Sequence, residues 1–135
     1  MELIKPKKMT KEHRRLWKFS EMTQESLGLK DRRFDMDTYA KNVSKEHPCG
    51  TVGCKLGMVG IAFPRADLTY SHRGPNNEAQ GLYVKDRKCE IFFGLDPYEL
   101  LYLFYPTYYN NKGNFNPTET DVNNKIKEFL IDLYK

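Results

Sequence analysis

Cysteine is scarce in this chain: three residues, an odd number, among 135. That is no disulfide framework, and free thiols in a reducing cytoplasm are the expectation. No long uncharged apolar run is present, which excludes a membrane-spanning helix. The first nine residues have no apolar central segment, so no secretory signal peptide is expected. Low-complexity tracts are few and no internal repeat is visible, and with 13% aromatic residues the chain does not have the composition of a disordered segment. The length suits one domain with one core. Patterns that would mark an enzyme are missing as well. There is no G-x-x-x-x-G-K-[ST] phosphate loop, no H-E-x-x-H, no Ser-His-Asp order, no H-x-E…C-x-x-C set and no convincing pair of carboxylates. Neither catalysis nor a cofactor is expected.

What is present is unevenly distributed. The net charge is +4, yet Met1 to Lys18 holds seven basic residues against Glu2 and Glu12, so the remainder is close to neutral. Lys7, Lys8, Lys11, Arg14, Arg15 and Lys18 are therefore candidate contacts for nucleic acid or another anion, with Trp17 or tyrosines available to stack. A solvated helix face that keeps a small protein soluble has the same composition.

Periodicity and capping residues outline a mainly α fold: a compact bundle of about five helices around a short Gly-rich central helix. Met1 to Met9 reads as an extended lead-in interrupted by Pro6. Thr10 caps a helix expected over Lys11 to Leu27, with Gly28 at its C′ position. Thr51 opens the central helix, Val52 to Ala62, which Pro64 stops. Gly53, Gly57 and Gly60 recur there at i, i+4 and i+7, each costing about 1 kcal/mol against alanine in a helix interior. A glycine stripe admits a close backbone or a ligand, which is the compensation expected for that cost. Arg65 to Gln80 reads as loop around the turn GPNN, and Gly81 to Phe93 is open to strand, through Leu82 and Val84, or to a helix over Lys85 to Phe93 ended by Gly94, leaving room for a small β-hairpin. Asp96-Pro97 starts a helix with Leu100, Leu103 and Phe104 on one face. Thr118 or Thr120 starts the last helix, with Val122, Ile126, Phe129, Leu130 and Leu133 as its apolar stripe.

The stretch FDMDTYAKNVSKEHPCGTVGCKLGMVGIA, followed by FFGLDPYELLYLFYP, resembles a group of small tailed-phage proteins. They share an aromatic-x-Met-x-x-aromatic segment and then C-G-T-x-x-C-x-x-G. The resemblance runs from Phe34 to Pro106, about half the chain, and Cys49-Gly50-Thr51 with Cys54 and Gly57 is its most specific part. Members often carry His or Trp after the last glycine of the motif, where this chain has Met58. The resemblance implies a phage source and a host-cell cytoplasm as the place of action; it does not imply an activity.

Four constellations are candidates for chemistry. Helix N-termini offer unpaired amides and partial positive charge, so Gly50, Thr51 and Gly53, beside Cys49 and with Lys55 one turn on, are a candidate pocket for a nucleotide-type anion. His47 with Cys49 and Cys54 is the one arrangement from which a thiol nucleophile could be built, giving a hydrolase as the remotest alternative. The same residues with Cys89 would make a Cys3His set, but H-x-C-x4-C is not the usual zinc spacing, and no metal is expected. Tyr98, Tyr102 and Tyr105 fall at i, i+4 and i+7, while the leucines of that helix face elsewhere; such a stripe suits a binding face or base stacking. Together these features favour a non-enzymatic binding protein that captures a host component. That component is either a small anionic signal or a host defence protein held by contact. A nucleic-acid accessory protein is the alternative, and exposed tyrosines are also compatible with a homo-oligomer.

Overall fold

Side-chain caps open three of the five α-helices among the described residues. In the computed structural model, residues 2–23, 25–27, 55–64, 67–73, 79–105 and 118–135 are described. Thr10 has extended backbone, and its hydroxyl accepts from the His13 amide at 3.2 Å, opening α1, Lys11–Ser20. The helix stops well short of Leu27. The Ser20 hydroxyl donates to the Trp17 carbonyl, and Thr23 and Ser26 then bond each other's backbone groups in a separate turn. Short hydroxyl side chains compete with the helix for backbone partners, and here they replace it. The expected stop at Gly28 lies outside the described residues.

The expected central helix is shorter and less regular than its pattern. Thr51 to Cys54 lie outside the described residues; after them a 3-10 turn, Leu56–Met58, leads into a single α-turn, α2, Val59–Ala62. Leu56, Met58 and Val59 are fully buried, but Ile61 is exposed, so the segment is not buried all round. Gly57 and Gly60 weaken regular helix, and burial of its neighbours supports the part that forms. A Cβ on Gly60 would lie 2.7 Å from Oγ1 of Thr69, so at this glycine a strand side chain, and no ligand, fills the space.

That strand corrects the loop expected over Arg65 to Gln80. β1, Thr69–Arg73, pairs antiparallel with β2, Ala79–Val84, from Thr69 opposite Val84 to Arg73 opposite Ala79. The register shifts between His72 and Arg73. The ambiguous stretch after it is both things in turn: β2 ends at Val84, and α3 follows over Asp86–Phe93. Gly94 closes α3 at φ 67°, a left-handed conformation that side chains rarely adopt.

α4, Pro97–Phe104, and α5, Glu119–Leu133, start as expected. Asp96 and Glu99 form a reciprocal capping box with Pro97 in the first turn, and Thr118 and Asp121 form another. Among the described residues the protein is thus mainly α, five α-helices with one two-stranded hairpin. None of these helices is long and apolar enough to cross a membrane.

α1 packs against α3 and α5. Leu16 and Phe19 from α1, Phe93 from α3, Leu103 and Phe104 from α4, and Val122, Ile126 and Leu130 from α5 are all fully buried in one cluster. Phe19 is stacked on Phe93 with ring centroids 5.3 Å apart and lies 6.2 Å from Phe104. At the opposite end of α1, His13 ties three elements together. Its Nε2 faces the Gly94 carbonyl at 3.0 Å; a carbonyl only accepts, so Nε2 carries the proton. Nδ1 then accepts from the Tyr134 hydroxyl, whose oxygen also accepts from the Thr10 amide at 3.0 Å.

Candidate functional site

The tyrosine stripe lies on α4, where the packing of the helix selects which rings are left outside. Leu100, Leu103 and Phe104 face the core. Positions i and i+4 on the far side are Tyr98 and Tyr102, and they stay in reach of solvent: Tyr98 is 63% exposed and Tyr102 37%. Their rings are nearly parallel, 17° apart, with centroids separated by 6.5 Å. Tyr105, the third member, is partly buried against the core and does not extend the exposed pair.

α5 completes the site. Lys125 places its ammonium 4.0 Å from the centre of the Tyr102 ring. This is a cation–π contact. Partial burial draws the Lys125 pKa down to about 8. Tyr102, Lys125, Glu128, Phe129, Asp132 and Leu133 line an open groove of about 340 Å³. Leu133 is 49% exposed, although its spacing places it in the apolar stripe of α5. The core takes Val122, Ile126 and Leu130, with Phe129 packed against it, and Phe129 and Leu133 also line the groove beside Tyr102. Leu133 lies within the angular span of Val122 and Ile126 but is the last residue of the helix, beyond Leu130, so its position along the helix and not around it leaves it in reach of solvent.

The other expected contacts are distributed differently. Cys49, Gly50, Thr51 and Gly53 lie outside the described residues, as do His47 and Cys54. Lys55, expected beside an open anion pocket, is fully buried. Its Nζ donates to the Met22 carbonyl at 2.5 Å and sits 4.5 Å from the centre of the Phe19 ring. Desolvation lowers its pKa to about 7, an effect that Glu119 opposes and Lys127 adds to. An ammonium directed at a carbonyl and a ring in the core is not presented to a solvent-borne anion.

Lys7, Lys8, Lys11, Arg14 and Lys18 are exposed, but Arg15 is not part of their surface. Its guanidinium donates to the Phe92 carbonyl at 3.2 Å and lies 4.4 Å from the centre of the Phe92 ring, bridging α1 to α3. Trp17 is buried, which removes it as a stacking residue. Cys89 is fully buried, and burial, followed by the charges of Asp86 and Glu90, pushes its thiol up to about 12. A thiol so held is a poor nucleophile and a poor metal ligand. Among the described residues no group of three His, Cys, Asp or Glu side chains could hold a metal ion.

No protein-family model, no curated protein and no solved structure matches this chain.

Proposed function

We propose that this chain is a non-enzymatic binding protein that captures a host protein by direct contact, and that the α4–α5 face is its recognition surface. The observation that carries this reading is the outward Tyr98–Tyr102 pair beside the groove containing Phe129 and Leu133. Tyrosines and apolar side chains clustered within a polar rim have the composition of interaction hot spots, where rigid rings supply contact area at low entropic cost. Charge separates this reading from capture of a small anionic signal at the same place. Glu128 and Asp132 line the groove with Lys125, and Asp132 is paired with Lys135 at 3.2 Å, so the groove carries no surplus of positive charge for a phosphate. The resemblance of residues 34–106 to small phage proteins supports placing the partner among host proteins that act against infection.

The test is capture from a host lysate by the full chain and by a Tyr98→Ala, Tyr102→Ala variant. A protein retained by the parent chain is expected to lose more than about 2 kcal/mol of binding in the variant, the scale of an aromatic hot spot. Equal retention by both chains would remove the reading. So would release of a nucleotide from the denatured parent chain with no host protein retained.

A further inference from the structure

The cations of α1 are arranged as a row, and the row faces away from the body of the molecule. Lys11, Arg14 and Lys18 stand at i, i+3 and i+7, so they share one face, and all three are exposed. Lys7 and Lys8 continue the positive charge into the segment before the helix and are also exposed. Neither Lys11 nor Lys18 forms an ion pair among the described residues. Arg14 is held in place, because its Nη1 donates to the Met9 carbonyl at 2.8 Å. Of the acidic residues nearby, Glu12 is half-buried, and Glu21, exposed, lies one turn past Lys18 and bounds the row.

We infer that this row is a sequence-independent contact for the phosphate backbone of nucleic acid. From Lys11 to Lys18 the helix rises about 10 Å, roughly three phosphate-to-phosphate steps along the axis of one strand of a duplex. The apolar side of α1 is fully committed elsewhere: Leu16, Trp17 and Phe19 are buried in the core. A helix with no exposed apolar side has nothing to insert into a lipid surface, which favours nucleic acid over an anionic membrane. With Trp17 buried, α1 also offers no ring to stack on bases, so the contact reads charge and not sequence. The row lies on a different helix from the tyrosine face, and the inference does not depend on what that face binds.

The experiment is fluorescence anisotropy of a labelled mixed-sequence DNA duplex titrated with the full chain at 50 and 200 mM salt. Three phosphate contacts predict about 40-fold weaker binding at the higher salt. A Lys11→Gln, Lys18→Gln variant, shown by circular dichroism and its unfolding midpoint to be folded like the parent, removes two of them. It is expected to bind at least tenfold more weakly at the lower salt and to lose only about three- to fourfold between the two salts. Absence of duplex binding at 50 mM salt, salt-independent binding, or equal binding by the folded variant would each overturn the inference. Binding to phosphatidylserine vesicles without binding to the duplex would also overturn it.

Discussion

Lys55 with Phe19 and Lys125 with Tyr102 are the same pairing, an ammonium over an aromatic ring, at 4.5 and 4.0 Å. They sit in different regions. Phe19 and Lys55 are both fully buried, and the ammonium there has lost its water in exchange for one carbonyl and one ring. Tyr102 and Lys125 sit at the rim of a groove, next to a second ring that is mostly in solvent. The inner pair is part of what holds α1 to the segment around Leu56. The outer pair leaves ring surface available to another molecule. The contact is of the same kind in the two places, with phenylalanine inside and tyrosine outside, and the packing of the helix that carries each ring decides between structure and recognition.

Substitutions can break or sharpen that contrast, and their effects are expected to descend in a definite order. The largest belongs to the inner ring. Phe19→Ala empties a site bounded by Phe63, Phe93 and Phe104, and should cost about 3–5 kcal/mol in chemical denaturation. The inner ammonium follows. Its pKa in the folded protein is about 7 against an ordinary 10.5. The unfolded chain therefore binds more protons than the folded one between those values, and stability should rise with pH across that window. The slope due to this group should approach about 1 kcal/mol per pH unit. Lys55→Met should flatten that slope, and a variant with the parent's pH profile would show the amine to be solvated.

Gly60→Ala is next, at about 1–3 kcal/mol, because the added methyl meets the Thr69 side chain; Thr69→Ala in the same chain should recover part of the loss. Thr118→Ala should cost about 1 kcal/mol through loss of the α5 cap. At the bottom of the order is the outer region: Tyr98→Ala should change stability by less than about 0.5 kcal/mol.

The features legible in the sequence are those in which a few neighbouring residues decide the outcome. Thr10, Asp96-Pro97 and Thr118 mark helix starts because the cap is a local hydrogen bond, and Gly94 marks a stop because its backbone is left-handed. The early end of α1 was less visible. Leu27 continues the apolar pattern, while Ser20, Thr23 and Ser26 redirect backbone hydrogen bonds. β1 was missed because Thr69–Arg73 has no apolar alternation of its own and is defined by its pairing with β2. The same limit applies to the site. The spacing of Tyr98 and Tyr102 on one side of α4 could be read directly. The meeting of Tyr102 with Lys125, Phe129 and Leu133 depends on how two helices pack, and the inward turn of Lys55 depends on packing too. The expected anion pocket at Gly50 to Gly53 lies outside the described residues.

The most direct test of the account is a paired measurement on one variant, Tyr98→Ala with Tyr102→Ala: its unfolding free energy and its retention of the captured host protein. The account predicts a loss of retention with stability lowered by no more than about 1 kcal/mol, the scale of a surface ring pair. Full retention, or a fall in stability of the size expected for Phe19→Ala, would show that the tyrosines belong to the fold and that the recognition surface is elsewhere.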